Sequence, residues 1–305
     1  MINKRVGWAL GIAATVAYST NTPIARGAIV AGMNPITLLI ARFAFASLLF
    51  SVAMGGTPLG RKSTEAKPLD RRGILIGFGT GMLNGLLLAA LFSALHTVSA
   101  SIASMTTISL IQVFTLAILM LAGERLTRQT GVRLAVGLLG LYLLLGIDGT
   151  ADTFGLFLLV VAAAIYAIHI VSVQWYLSAY NIWWVTTIIV AGATVSIAVL
   201  WVMTGMDTFV PMPIGLVAIL VQGVVSTFIG RILTYSAVNA IGSGQFALLS
   251  PLETMLTILW AALFLGERLT GIQWLGTLFI LVSILLAADI IWQRLTQSTE
   301  KSTSQ

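Results

Sequence analysis

The chain has no cysteine and only two histidines, His96 and His169. The first absence removes disulfide frameworks and thiolate metal sites, and the second removes a histidine cage. Charge is also scarce. Of 305 residues, 9 % are charged and 58 % are hydrophobic. A soluble domain carries about 25 % charged residues. A globule of this length would therefore lack the polar groups to cover its surface. The bulk must face lipid, and the chain reads as a polytopic membrane protein. Signatures of other chemistry are missing too. There is no Walker A pattern, which argues against ATP-driven transport by this chain alone. No H-E-x-x-H, paired aspartates or G-x-S-x-G stands in a span or loop, so a membrane hydrolase lacks its machinery. No TVGYG-type filter appears, which disfavours a selective ion channel. No cofactor and no metal are expected. The net charge of +6 does not point to nucleic acid, because the basic residues gather in loops.

What is present is apolar length. Crossing about 30 Å of hydrocarbon takes about 20 mostly apolar residues in a helix. Cutting at charges and turn residues gives spans near 6–29, 35–54, 73–94, 98–121, 131–147, 154–176, 182–204, 214–237, 243–265 and 271–291. The expected fold is an all-α polytopic membrane protein of ten transmembrane helices. One long loop, 55–72, carries Gly, Pro and charge, and the tail 293–305 is polar. "MINKR" before an apolar stretch imitates a signal peptide. The stretch breaks at Ser19–Pro23 with no A-x-A-like site after it, so it reads as an uncleaved first span. With the N-terminus in the cytoplasm, twelve of the sixteen basic residues fall inside. The positive-inside rule thus places both termini in the cytoplasm. Expected partners are the bilayer and a small-molecule substrate, and a monomer is the favoured state.

The five letters "GERLT" occur at Gly123–Thr127 and again at Gly266–Thr270, 143 positions apart. The tag follows the fourth span and the ninth. Each unit then has five helices, 1–148 and 149–292, and an odd number inverts the second copy. Other echoes agree. A shift of 148 takes Gly7 to Gly155, Tyr18 to Tyr166 and Asn21 to His169; a shift of 143 takes "FSAL" at 92–95 to "YSAV" at 235–238. Inverted repeats of this kind are a transporter architecture. In the tag, Gly lets the backbone leave the helix. Thr270-Gly-Ile-Gln273 fits a capping box, whereas Thr127-Arg-Gln-Thr130 does not. The tag reads first as a helix-turn staple, with a gating ion pair as the alternative.

Five-plus-five spans with "LGERLT"-type tags after spans four and nine resemble the EamA-type transporters of the drug/metabolite transporter superfamily. One departure is visible. Ser250–Pro251 in the ninth span corresponds to Thr107–Ile108 in the fourth, so the proline often seen in that helix of the family is missing from the first copy. The resemblance implies a secondary transporter in the cytoplasmic (inner) membrane of a prokaryotic cell and includes amino-acid exporters.

Polar groups at mid-depth are the candidates for function, because they are costly in lipid. Tyr18 and Asn21 in span one match Tyr166 and His169 in span six. Asn84 in span three matches Ser226 and Thr227 in span eight. Ser101 in span four and Gln245 with Phe246 in span nine complete the substrate-binding set. Arg231 and Glu253 have similar depths about the turn near Ala240, and read as a buried charge pair or a coupling site. Arg42 reads as a snorkelling or helix-end residue. The inventory is mostly neutral and aromatic, which suits hydrophobic or aromatic amino acids better than phosphorylated substrates. The function expected is export of small metabolites by alternating access. A broad drug/metabolite effluxer is the nearest rival, and a non-transporting membrane enzyme or receptor comes after it.

Overall fold

A computed structural model describes residues 4–56, 70–123, 128–145, 152–177, 179–241, 246 and 249–283. Helices dominate. They are α1 (Lys4–Ser19), α2 (Asn21–Val30), α3 (Pro35–Gly56), α4 (Arg71–Ala94), α5 (Ala100–Leu121), α6 (Arg128–Leu145), α7 (Thr153–Leu177), α8 (Ile182–Met203) and α9 (Ile214–Leu220). A π-helical stretch, Val221–Ile229, then leads into α10 (Gly230–Ile241), followed by α11 (Ser250–Leu265) and α12 (Gly271–Ser283). Six helices are long and apolar enough to cross a membrane; shorter apolar helices cover Leu134–Leu144, Leu252–Leu265 and Gly271–Ser283. Among the described residues, each expected span overlaps helix, though the first and the eighth are interrupted; the parts of the fifth, ninth and tenth at 146–147, 243–245, 247–248 and 284–291 lie outside the described residues. Leu75, Val52, Leu263 and Phe264 are exposed along the helix surfaces, an apolar exterior that suits lipid.

Helix ends follow local chemistry. Asp70 caps α4 by accepting from the Gly73 amide at 2.7 Å, and the Tyr180 phenol donates to the same oxygen at 2.8 Å. That bond, above all, holds the phenol pKa above its ordinary value. Ser99 caps α5 through the Ile102 amide. Gly266 ends α11 in the left-handed region at φ 66°, where a Cβ would be strained. The capping box then closes in both directions. Gln273 Oε1 accepts from the Thr270 amide at 3.0 Å, and Thr270 Oγ1 from the Gln273 amide at 3.3 Å. The sequence expectation holds at that turn.

The two units are inverted. A Cβ at Gly7 would meet Ala240 and Ile241, one at Gly11 would meet Ala237, one at Gly230 would meet Tyr18, and one at Gly27 would meet Ile214. So α1–α2 lies antiparallel to α9–α10 along its whole length. Arg26, near the end of α2, reaches Leu95 at the junction of α4 and α5. The start of α7 packs at that same end, where a Cβ at Gly155 would meet Thr97 and Val98. The first helix of one unit therefore begins at the end of the molecule opposite to the first helix of the other. Some contacts are repeat-related. Gly7 faces Ala240 and Ile241; Gly155, 148 positions on, faces Thr97 and Val98, 143 positions back. Gly81 of α4 lies against the Ile189 backbone of α8, and Gly223 lies against the Arg42 backbone of α3. Gly140 of α6 and Gly276 of α12 face each other's carbonyls. Small residues let helix backbones approach this closely, which is how helices associate where lipid removes the hydrophobic drive. The main core, with Phe43, Phe50, Phe92, Met33 and Leu95, sits between α2, α3, α4, α5, α7 and α8.

Candidate functional site

Pro23 has no amide proton to give the carbonyl four residues back, which is that of Ser19. That carbonyl instead accepts from Thr257 Oγ1 of α11 at 3.2 Å. Trp260 Nε1 donates to Ser19 Oγ at 3.0 Å. From the other side, Ser226 Oγ donates to the Ala17 carbonyl at 3.1 Å and Gln222 Nε2 to the Asn21 carbonyl at 3.2 Å. The break between α1 and α2 in the first unit is thus stitched by two helices of the second.

Arg42 stands beside this break and is 5 % exposed. Its Nε donates to Thr227 Oγ1 at 2.7 Å, and its Nη1 to Asn21 Oδ1 at 2.8 Å and Gln222 Oε1 at 3.2 Å. The guanidinium carbon lies 5.4 Å from the Phe43 ring centre and 5.8 Å from that of Phe92. The snorkelling expectation for Arg42 is overturned. The side chain is buried and its donors go to groups on α2 and the π-helical stretch rather than to solvent. The π-helical stretch helps supply those acceptors. There, hydrogen bonds run i to i+5 instead of i+4, a form that often marks functional positions. Thr227 Oγ1 bonds back five residues to the Gln222 carbonyl at 2.8 Å, while Gln222 is fully buried.

Four residues past Thr227, Arg231 is half-buried. Among the described residues it has no hydrogen bond and no carboxylate within 4.0 Å. His169 is buried, with Nδ1 2.9 Å from the Thr80 carbonyl, and Tyr166 is tilted against its ring at 6.1 Å. One turn beyond Thr80 on α4, Asn84 is 5 % exposed and its Oδ1 has no hydrogen-bond partner.

The candidates therefore divide. Asn21 bonds Arg42, Arg231 stands one turn past the Thr227 that Arg42 also bonds, and Tyr18 faces Gly230 beside it; Tyr166 and His169 pack together against α4, with Asn84 one turn from the His169 contact. Ser101 does not join them. Its Oγ donates to Glu267 at 2.7 Å at the start of α5. Phe246 lies against the Gly11 end of α1, and Gln245 falls outside the described residues. Glu253 sits in the first turn of α11 and makes no ion pair with Arg231 within 4.0 Å. Equal depth does not fix which way a helix face turns: α10 packs on α1, whereas α11 packs on α1, α2 and α5. Gln222, Arg26 and Glu267 were missed as partners. A glutamine inside an apolar span was a readable signal for the first.

A second polar cluster closes one end. Glu267 of the second tag accepts from the Ala100 amide at 2.7 Å and the Ser101 amide at 3.0 Å, an anion on a helix N-terminus. Arg26 pairs with it, Nε to Oε1 at 3.2 Å. Arg26 Nη1 also donates to the carbonyls of Leu95, at 2.7 Å, and Val98. One tag glutamate thus joins α2, α5 and α11. A cleft of 450 Å³ beside it is lined by Ser99, Ile102, Arg268 and Gln273 among others, apart from the Arg42 group. The other tag, from Glu124 to Thr127, falls outside the described residues.

Comparison with known proteins accords with this architecture. The EamA-like transporter family matches residues 5–146 and, a second time, 153–288. Among solved structures, 23 chains match. One crystal structure aligns at a TM-score of 0.61 over 95 % of this chain and 99 % of its own, with 18 % identity; the likeness is one of fold. A search of curated proteins found no match. Matched twice along its length, this chain belongs to the EamA-like transporter family.

Proposed function

We propose that the chain is a ten-span secondary transporter that exports small metabolites, foremost hydrophobic or aromatic amino acids, by alternating access between its two units. Both termini lie in the cytoplasm of a prokaryotic cell on this reading. The observation that carries it is the stitched break at Ser19–Pro23. A helix interrupted at mid-depth, bonded to the other unit through Gln222, Ser226 and Thr257, is where inverted-repeat transporters hold substrate. Asn21 lies in the break, and His169 is its counterpart by the 148-residue shift. The Arg26–Glu267 cluster then seals the outer end, and opening it exchanges buried bonds for water. A family of transporters gives no support to an enzymatic role, and no catalytic residue is assigned.

The test is efflux of an amino-acid panel from cells with and without the protein. Faster release of phenylalanine, tryptophan or leucine is expected. Release of unrelated cationic dyes without amino acids would favour the broad effluxer. Equal release of every compound by both strains would defeat a transport role.

A further inference from the structure

We propose that Arg231 is the receptor for a carboxylate on the transported molecule, which makes the substrate class free acids and zwitterions rather than amines, amides or neutral drugs. The word "transported" rests on the function proposed above; the anion site stands by itself.

An ionised side chain within a span is costly unless it is partnered. Arg42 meets this requirement with neutral acceptors only: Asn21, Gln222 and Thr227. Its bonds are filled, yet its charge has no counter-charge. Arg231 lies one turn further along the eighth span, next to Gly230, which faces the Tyr18 ring. It is half-buried, and no described group accepts from its five N–H donors. The nearby acceptors are already taken by Arg42. Arg231 thus stands one turn from the Thr227 that holds Arg42, and no described carboxylate pairs with either arginine. Glu253 is the only acidic residue in the described midplane, and it does not close on Arg231 within 4.0 Å. A planar guanidinium with free donors presents a fork that fits a carboxylate with two parallel bonds. The charge on Arg42 adds attraction from behind without competing for those bonds. A primary amine at the same place meets repulsion from both arginines, and an amide brings no charge to offset them.

The experiment uses purified full-length protein in detergent and reads the thermal midpoint with added phenylalanine, leucine, benzoate, phenylalaninamide, phenethylamine or inorganic phosphate. Carboxylates are expected to raise the wild-type midpoint, and the amide and amine to leave it unchanged at equal concentration. Arg231→Gln should weaken carboxylate binding by at least about ten-fold, the loss of hydrogen bonds to a charged group. Arg231→Lys should keep part of it. Without ligand, Arg231→Gln should melt at or above wild type, because one of two like charges is gone. Stabilisation by the amide or amine as strong as by the acid would overturn the proposal. So would unchanged carboxylate binding in Arg231→Gln, or stabilisation by phosphate alone. A lower midpoint in Arg231→Gln, restored by adding Glu253→Gln, would instead make the two residues a structural pair. Carboxylate binding lost in Arg231→Gln, with no flux in liposomes, would keep the site and defeat the transporter reading. Flux of amines through wild type with no carboxylate binding would do the reverse.

Discussion

Arg42 holds three side chains from two helical segments, α2 and the π-helical stretch, so its loss is structural before it is functional. Bonds to a charged group contribute roughly 1.5–3 kcal/mol each. Arg42→Met should therefore lower the thermal midpoint sharply. Arg42→Lys should not restore it, since one ammonium cannot reproduce a planar fork toward Asn21, Gln222 and Thr227. A wild-type midpoint in either variant would contradict the geometry. Glu253 behaves differently. Its carboxylate has no hydrogen-bond or ion-pair partner among the described residues, so Glu253→Gln should fold normally. If it carries protons, that variant shifts the pH dependence of flux; an unchanged profile in a folded protein removes the coupling role. Counting along spans singled out Asn21, His169 and Arg231 as candidates. Direction was not legible, because counting cannot tell an inward arginine from one that snorkels. That is why Arg42 was misread and why Ser101, counted as a site residue, turned out to bond Glu267.

At the scale of elements, close helix contacts govern stability. Gly81 lies directly against the Ile189 backbone, whereas nothing lies within 4 Å of a Cβ at Gly79, two residues away on α4. Gly81→Ala should cost about 1–3 kcal/mol through overpacking. Gly79→Ala should be neutral or stabilise by up to about 1 kcal/mol, as alanine does in a helix. Thermal melts of the two variants check this, and equal midpoints would contradict it. The turn chemistry was readable because it is local: Thr270 and Gln273 announce their capping box in four letters. The π-helical stretch was not. Its backbone pattern depends on bonds to Arg42 and Asn21, which lie far away in sequence. The second tag gained a function beyond its turn for the same reason, since Glu267 acts on α5, 166 positions earlier.

For the whole molecule, the repeated tag and the 143- and 148-residue offsets carried the architecture. Gly7 and Gly155 meet repeat-related partners, as inversion requires. The inversion also has a direct topological consequence. With no native cysteine in the way, single cysteines at Arg5 and Asp152, at the starts of α1 and α7, should label from opposite faces of the membrane. Labelling from one face would remove the inverted repeat. The central claim is that substrate crosses at the stitched break between the units, held by groups from both. Its most direct test is efflux of labelled phenylalanine from proteoliposomes containing matched amounts of wild type, Asn21→Ala and His169→Ala. Losing one hydrogen bond weakens binding by roughly 0.5–1.5 kcal/mol, or about 2- to 13-fold. The account predicts saturable wild-type flux, reduced by that factor in each variant at matched amounts of folded protein; Asn21→Ala also melts lower, because it takes one acceptor from Arg42. Wild-type rates in both variants across substrate concentrations, or no flux above empty liposomes, would contradict it.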